Sequence, residues 1–144
     1  MTQKDWTLVV IAAARGRAIS PVQLQKSLFL LSRNLSPKAL GVEQLYNFEP
    51  YDYGPFDNAV YHDAEQLERD GQIVITEAGT RYRKYQATQE GSAFAESLVA
   101  TLDPKASAYL ERVVVWVTTL SFNELVESIY KFYPDMTKNS VYRR

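Results

Sequence analysis

The chain has no cysteine, which excludes a disulfide framework, a thiolate metal site and a cysteine nucleophile. That absence fits a reducing compartment, and a cytoplasmic location is expected. Histidine is almost as scarce. His62 is the single one, and neither a glycine-rich phosphate loop nor HExxH-type spacing accompanies it. An excess of charge of one sign is also missing: 16 basic side chains stand against 17 acidic ones, so the molecule as a whole exerts no long-range pull on phosphate backbones or anionic membranes. Any nucleic-acid binding must rest on a local patch. Long hydrophobic runs are absent as well, since the apolar stretch from Leu8 to Ala14 is cut short by Arg15 and Arg17. It is too short to cross a bilayer and lacks a signal-peptide cleavage pattern, so no membrane partner is expected.

What is present is apolar periodicity along nearly the whole length, without repeats or low-complexity segments. The 144 residues fit one domain able to bury a core without metal or disulfides. A first helix is predicted from Asp5 or Trp6 to Arg15, capped by Asp5. The second has the clearest start in the chain: Ser20 as N-cap, Pro21 at the first helical position and Gln23 completing a capping box. Leu24, Leu28, Leu31 and Leu35 then form its inner stripe. Leu45 to Tyr53 reads as a short strand leading into a Gly54-Pro55 turn. Asp57 caps a third helix over Asn58–Asp70, with Val60, Ala64 and Leu67 inward. Gln72–Thr76 and Arg81–Ala87, joined by Glu77-Ala78-Gly79-Thr80, read as a β-hairpin.

Helix, helix, strand, helix, hairpin is the element order of a winged helix, in which the hairpin is the wing. The expected class is therefore α+β: a winged-helix core over 1–88 followed by a C-terminal helical extension over 89–144, as a single domain. In that extension Thr88, Asp103-Pro104 and Ser121 with Glu124 each start a helix. Val113–Thr119 is β-branched enough to be a strand, but the flanking 3.6-residue period favours helix.

The run Pro21-Val22-Gln23-Leu24-Gln25-Lys26-Ser27-Leu28-Phe29-Leu30-Leu31, then Phe48-Glu49-Pro50-Tyr51-Asp52-Tyr53-Gly54-Pro55-Phe56-Asp57 and Val60-Tyr61, resembles the YwgA-like proteins. These small bacterial proteins are akin in pattern to the Panacea (SocA-like) antitoxin domain. The ending, Glu124-Leu125 through Ile129-Tyr130 and Tyr133-Pro134 to Ser140, looks like the same family. Asp57 stands where serine is expected after Gly-Pro-Phe, and both cap helices. The resemblance implies a winged-helix-like fold used for regulation or for holding a partner, and it supplies no catalytic residues.

Among candidate sites, His62 reads as a surface histidine, and carboxylates such as Asp63 and Glu65 read as a solvated helix face; no reaction class emerges and no cofactor or metal is expected. For duplex DNA, the third helix is the element expected in the major groove, yet it carries Asp57, Asp63, Glu65, Glu68 and Asp70 against Arg69. That charge disfavours standard docking. The hairpin offers Arg81, Arg83 and Lys84 among Tyr82 and Tyr85, suited to phosphate contact, with Lys26 or Arg33 assisting from the second helix. Strand alternation would put Arg81 and Arg83 on one face and Lys84 on the other. Lys138, Arg143 and Arg144 form a basic tail.

A protein partner such as a toxin is the alternative, gripped through Tyr51, Tyr53 and Phe56 or attracted by Asp63, Glu65 and Glu68. Tyr130, Phe132 and Tyr133 are either core or a homodimer contact. The expectation is a non-enzymatic regulatory module of the DNA-binding transcriptional type, with a protein-binding antitoxin or adaptor as the second reading.

Overall fold

The computed structural model describes residues 1–142. Helix α1 (Gln3–Ala13) starts at Thr2, whose side chain accepts from the Asp5 N–H while the Asp5 carboxylate accepts from the Thr2 N–H. Asp5 is thus the N3 member of a capping box, not the N-cap that the sequence suggests, and the helix begins earlier. Trp6 to Ile11 are all buried, which makes α1 the central element. It packs against helices on several sides and against the second hairpin.

Helix α2 (Pro21–Asn34) has the expected capping box of Ser20 and Gln23, and Leu24, Leu28 and Leu31 are fully buried. Gln25, Lys26 and Ser27 are buried too, so α2 is enclosed on more than its leucine face. A short helix α3 (Pro37–Leu40), capped by Ser36, follows. Strands β1 (Glu49–Tyr51) and β2 (Gly54–Phe56) then form a tight antiparallel hairpin. Its turn lies at Asp52 and Tyr53, so Gly54-Pro55 belongs to a strand, contrary to expectation. Two prolines sit opposite each other in the register Pro50↔Pro55. With Tyr51↔Gly54 closing the turn, ladder alternation makes that next pair non-hydrogen-bonded, where a missing N–H costs nothing.

Helix α4 (Asn58–Arg69) is capped by Asp57 and followed by the left-handed Gly71. Strands β3 (Ile73–Thr76) and β4 (Lys84–Ala87) pair antiparallel, and Ile19 adds a bridge to Tyr85. Helices α5 (Gln89–Val99), α6 (Pro104–Thr119) and α7 (Phe122–Phe132) complete the chain before a 3₁₀ turn at Pro134–Thr137. The β-branched run Val113–Thr119 is helical, with Val113, Val114 and Val117 buried and the Thr118 hydroxyl bonded back to the Val114 carbonyl. The architecture is α+β, several helices with two small antiparallel hairpins, and it is broadly consistent with a winged-helix-like arrangement. No helix among the described residues is long and apolar enough to cross a membrane. Arg143 and Arg144 of the basic tail lie outside the described residues.

Candidate nucleic-acid interface

The inward face of α4 is fixed by Val60, Ala64 and Leu67. At 3.6 residues per turn the opposite face is then Asn58, His62, Glu65 and Arg69, all exposed. Most of the carboxylates that weigh against this helix in the sequence are not on that face. Asp57 accepts from the Ala59 and Asn47 N–H groups at 2.9 and 2.7 Å. Asp63 accepts a short hydrogen bond from the Tyr46 hydroxyl, which also bonds Thr7 Oγ1 at 2.7 Å. Burial, and then the Asp63 carboxylate, push the Tyr46 hydroxyl well above the usual phenol range. Glu68 accepts from the Ile75 N–H at 3.1 Å, and Asp70 pairs with Lys4 at 3.5 Å. The acidic charge is therefore drawn to the flanks by the protein's own donors, and Glu65 is the carboxylate left on the outward face.

Beside α4 lies a cleft of about 520 Å³ between the second hairpin, the first turn of α2, the tip of the first hairpin and the start of α7. Arg81, Arg83 and Lys84 all line it, together with the rings of Tyr53, Tyr61 and Phe122. The expectation that Lys84 would face away from the two arginines fails for a physical reason. Glu77 and Gly79 take left-handed conformations (φ 50° and 82°), the loop closes through Thr80 N–H to the Glu77 carbonyl, and β4 begins only at Lys84. Arg81 and Arg83 are turn residues, so strand alternation does not govern them.

Arg83 is the best-held of the three. Its guanidinium lies 4.5 Å from the Tyr61 ring centroid, Nε donates to the Tyr85 hydroxyl at 2.7 Å and Nη1 to the Thr80 carbonyl at 3.2 Å. Tyr61 and Tyr85 stack nearly parallel, 6.5 Å between centroids, and burial raises both hydroxyl pKa values. Among the described residues Arg81 bonds only its neighbour, the Tyr82 hydroxyl, at 2.8 Å. Lys84 is exposed.

Two cations that the sequence assigns to the same surface do not reach it. Lys26 is buried, 3% exposed, with Nζ donating to the Pro55 carbonyl at 3.3 Å under the first hairpin. Burial lowers its pKa to about 7. Arg33 sits at the other end of α2 from the cleft, roughly 20 Å along the axis, where it pairs with Asp135 at 2.7 Å and covers the Phe29 ring at 4.9 Å. Neither is available to phosphate beside the second hairpin. The residues considered for a protein partner are divided as well. Tyr51 and Tyr53 are exposed on the hairpin tip, whereas Phe56 is half-buried between Tyr51 and Tyr61, at 4.9 and 5.5 Å. Glu65 and Glu68, three residues apart, are exposed neighbours on one side of α4, whereas Asp63 lies on the other side against Tyr46, so the three make no continuous acidic face.

Asn58 and Phe122 escape the sequence reading. Asn58 Nδ2 lies 2.8 Å from His62 Nε2 on the outward face, a pairing that the i, i+4 spacing could have suggested. Phe122 was legible as an apolar residue off the inner stripe of its helix. Compared with known proteins, the chain matches no family model, and neither a curated protein nor a solved structure matches it.

Proposed function

We infer that the chain is a non-enzymatic winged-helix regulator that binds double-stranded DNA, with the outward face of α4 in the major groove and the wing against the backbone. In this reading α1, α2 and α4 are the helical core, Ile19 with β3 and β4 is the small sheet, and the turn over 77–83 is the wing. The observation that carries it is the orientation of the α4 carboxylates. Counted along the sequence they would repel a phosphate-walled groove. With Asp57, Asp63, Glu68 and Asp70 engaged at the flanks, the entering face offers Asn58, His62 and Arg69 to base edges and phosphates against Glu65. Arg81 and Lys84 lie alongside with their charge exposed, and each phosphate they neutralise would release counterion. A regulatory role also agrees with the resemblance to the YwgA-like and Panacea proteins.

Fluorescence anisotropy with a labelled random-sequence duplex, titrated between about 50 and about 200 mM salt, tests this. Binding should weaken steeply with salt, and the double variant Arg81→Ala, Lys84→Ala should flatten the log–log slope by roughly two. Absence of binding at the lowest salt, or an unchanged slope in the variant, refutes the reading. The exposed Tyr51 and Tyr53, at 52% and 41%, favour one second reading, a partner protein gripped by the hairpin tip. Material retained from lysate that survives nuclease and is lost on Tyr51→Ser with Tyr53→Ser would favour it over DNA.

A further inference from the structure

A second hollow shares no lining residue with the wing cleft. It is an apolar trough of about 1290 Å³ bounded by the C-terminal end of α1, by α2, by α6 and by α7. Its long wall follows α6 from Ala108 to Thr119, about 17 Å or three helical turns. Val115 and Phe132 are 56% and 65% exposed, and half-buried Trp116 continues the apolar lining above the buried Leu30 and Ile129. Apolar surface grouped in this way is the mark of an interaction site. The volume exceeds the roughly 300–1,000 Å³ of ordinary small-molecule pockets, and walls this open would leave much of a small ligand in water. An apolar trough that runs along three turns of α6 suits a helix presenting anchors at i, i+3, i+4 and i+7.

The rim supplies the sign of the occupant. Arg15, Arg17 and Arg112 stand there against Glu111, and Glu111 is already taken by an ion pair with Arg15. None of the ion pairs among the described residues involves Arg17 or Arg112. A second copy of this chain, related by a two-fold axis, would set this net-positive rim against itself. A helix edged with carboxylates would neutralise it.

We propose that the trough docks an amphipathic helix of a partner protein whose apolar stripe is flanked by glutamate or aspartate. This docking is independent of DNA binding and uses none of the wing residues. Trp116 reports on it directly, since the other tryptophan, Trp6, is fully buried in the core.

The probes are two synthetic helical peptides with leucine at i, i+3, i+4 and i+7, one flanked by glutamate and the other by lysine. The glutamate peptide should alter Trp116 emission and bind at least about tenfold more tightly than the lysine peptide. The double variant Arg17→Glu, Arg112→Glu should reverse that preference. Val115→Asp, a change at an exposed position, should weaken both peptides while leaving thermal unfolding unchanged. Failure of both peptides to bind overturns the proposal, as does a preference that survives the charge reversal. So does a Trp116 response to an acyl carboxylate such as dodecanoate without one to the peptides, and so does a dimer in sedimentation equilibrium that Val115→Asp dissociates, which would make a second copy the occupant.

Discussion

Replacing Lys26 by methionine should stabilise the protein near neutral pH and remove a pH dependence that the wild type carries. Lys26 is 3% exposed, and among the described residues the one acceptor of its amine is the Pro55 carbonyl, at 3.3 Å. An ammonium needs more than one partner to be comfortable out of water. Burial accordingly takes the pKa from 10.5 down to about 7 in the folded state. Because the folded value is the lower one, the unfolded chain binds more protons between those limits, and stability rises with pH through that window. The full gap corresponds to about 5 kcal/mol of folding free energy withheld below pH 7 and recovered by about pH 10.5. Between pH 7 and 9 the wild type should therefore gain about 2 to 3 kcal/mol relative to Lys26→Met. Methionine matches the stem of lysine in length, and the loss of the bond, which leaves the buried Pro55 carbonyl unpaired, costs about 1 to 3 kcal/mol, less than the penalty it removes near pH 7. Urea unfolding of both proteins at half-unit pH steps measures this. The series should stop near pH 9.5, because the raised pKa values of the buried tyrosines Tyr46, Tyr61 and Tyr85 oppose the trend once unfolded phenols ionise. Parallel pH profiles for the two proteins would refute the reasoning.

Two further substitutions test the packing that positions the site. Gly91→Ala would place a Cβ 1.9 Å from the Gln72 carbonyl oxygen, which is itself held by the Thr88 N–H at 3.0 Å. A loss of about 3 kcal/mol or more is expected by thermal unfolding, with the second hairpin displaced from α5. Tyr46→Phe removes the hydroxyl shared by Thr7 and Asp63. It should cost about 1 to 3 kcal/mol in chemical denaturation and weaken duplex binding as Asp63 is freed.

Much of the helical framework was legible because it is written in local signals. Ser20-Pro21 with Gln23, and Ser121 with Glu124, name their own helix starts, and both capping boxes form as read. Asp5 misled because the same residue type serves at N-cap and at N3, and only the Thr2 hydroxyl decides between them. The Gly54-Pro55 turn misled because proline is equally at home in a strand pair that makes no ladder bond. The site was less legible for a deeper reason. Whether Asp63 or Glu68 projects into solvent depends on Tyr46 and the Ile75 N–H, partners that a one-dimensional charge count does not contain. Lys26 shows the same limit: on a leucine-striped helix it reads as the solvated edge, and only the hairpin folded over it makes it interior.

The bridge between Ile19 and Tyr85 bears on how the chain reaches this state. Its two hydrogen bonds, 2.9 and 2.8 Å, join segments between which α2, α3, the first hairpin, α4 and β3 intervene. Closing so long an excursion costs entropy that local helix formation does not repay. The Ile19–Tyr85 bridge is thus expected to close late in folding, so that Ile19→Ala should speed unfolding more than it slows refolding in stopped-flow measurements. A fragment ending after α4 would lack Tyr85 altogether and leave the Ile19 N–H and carbonyl without the partners that satisfy them here.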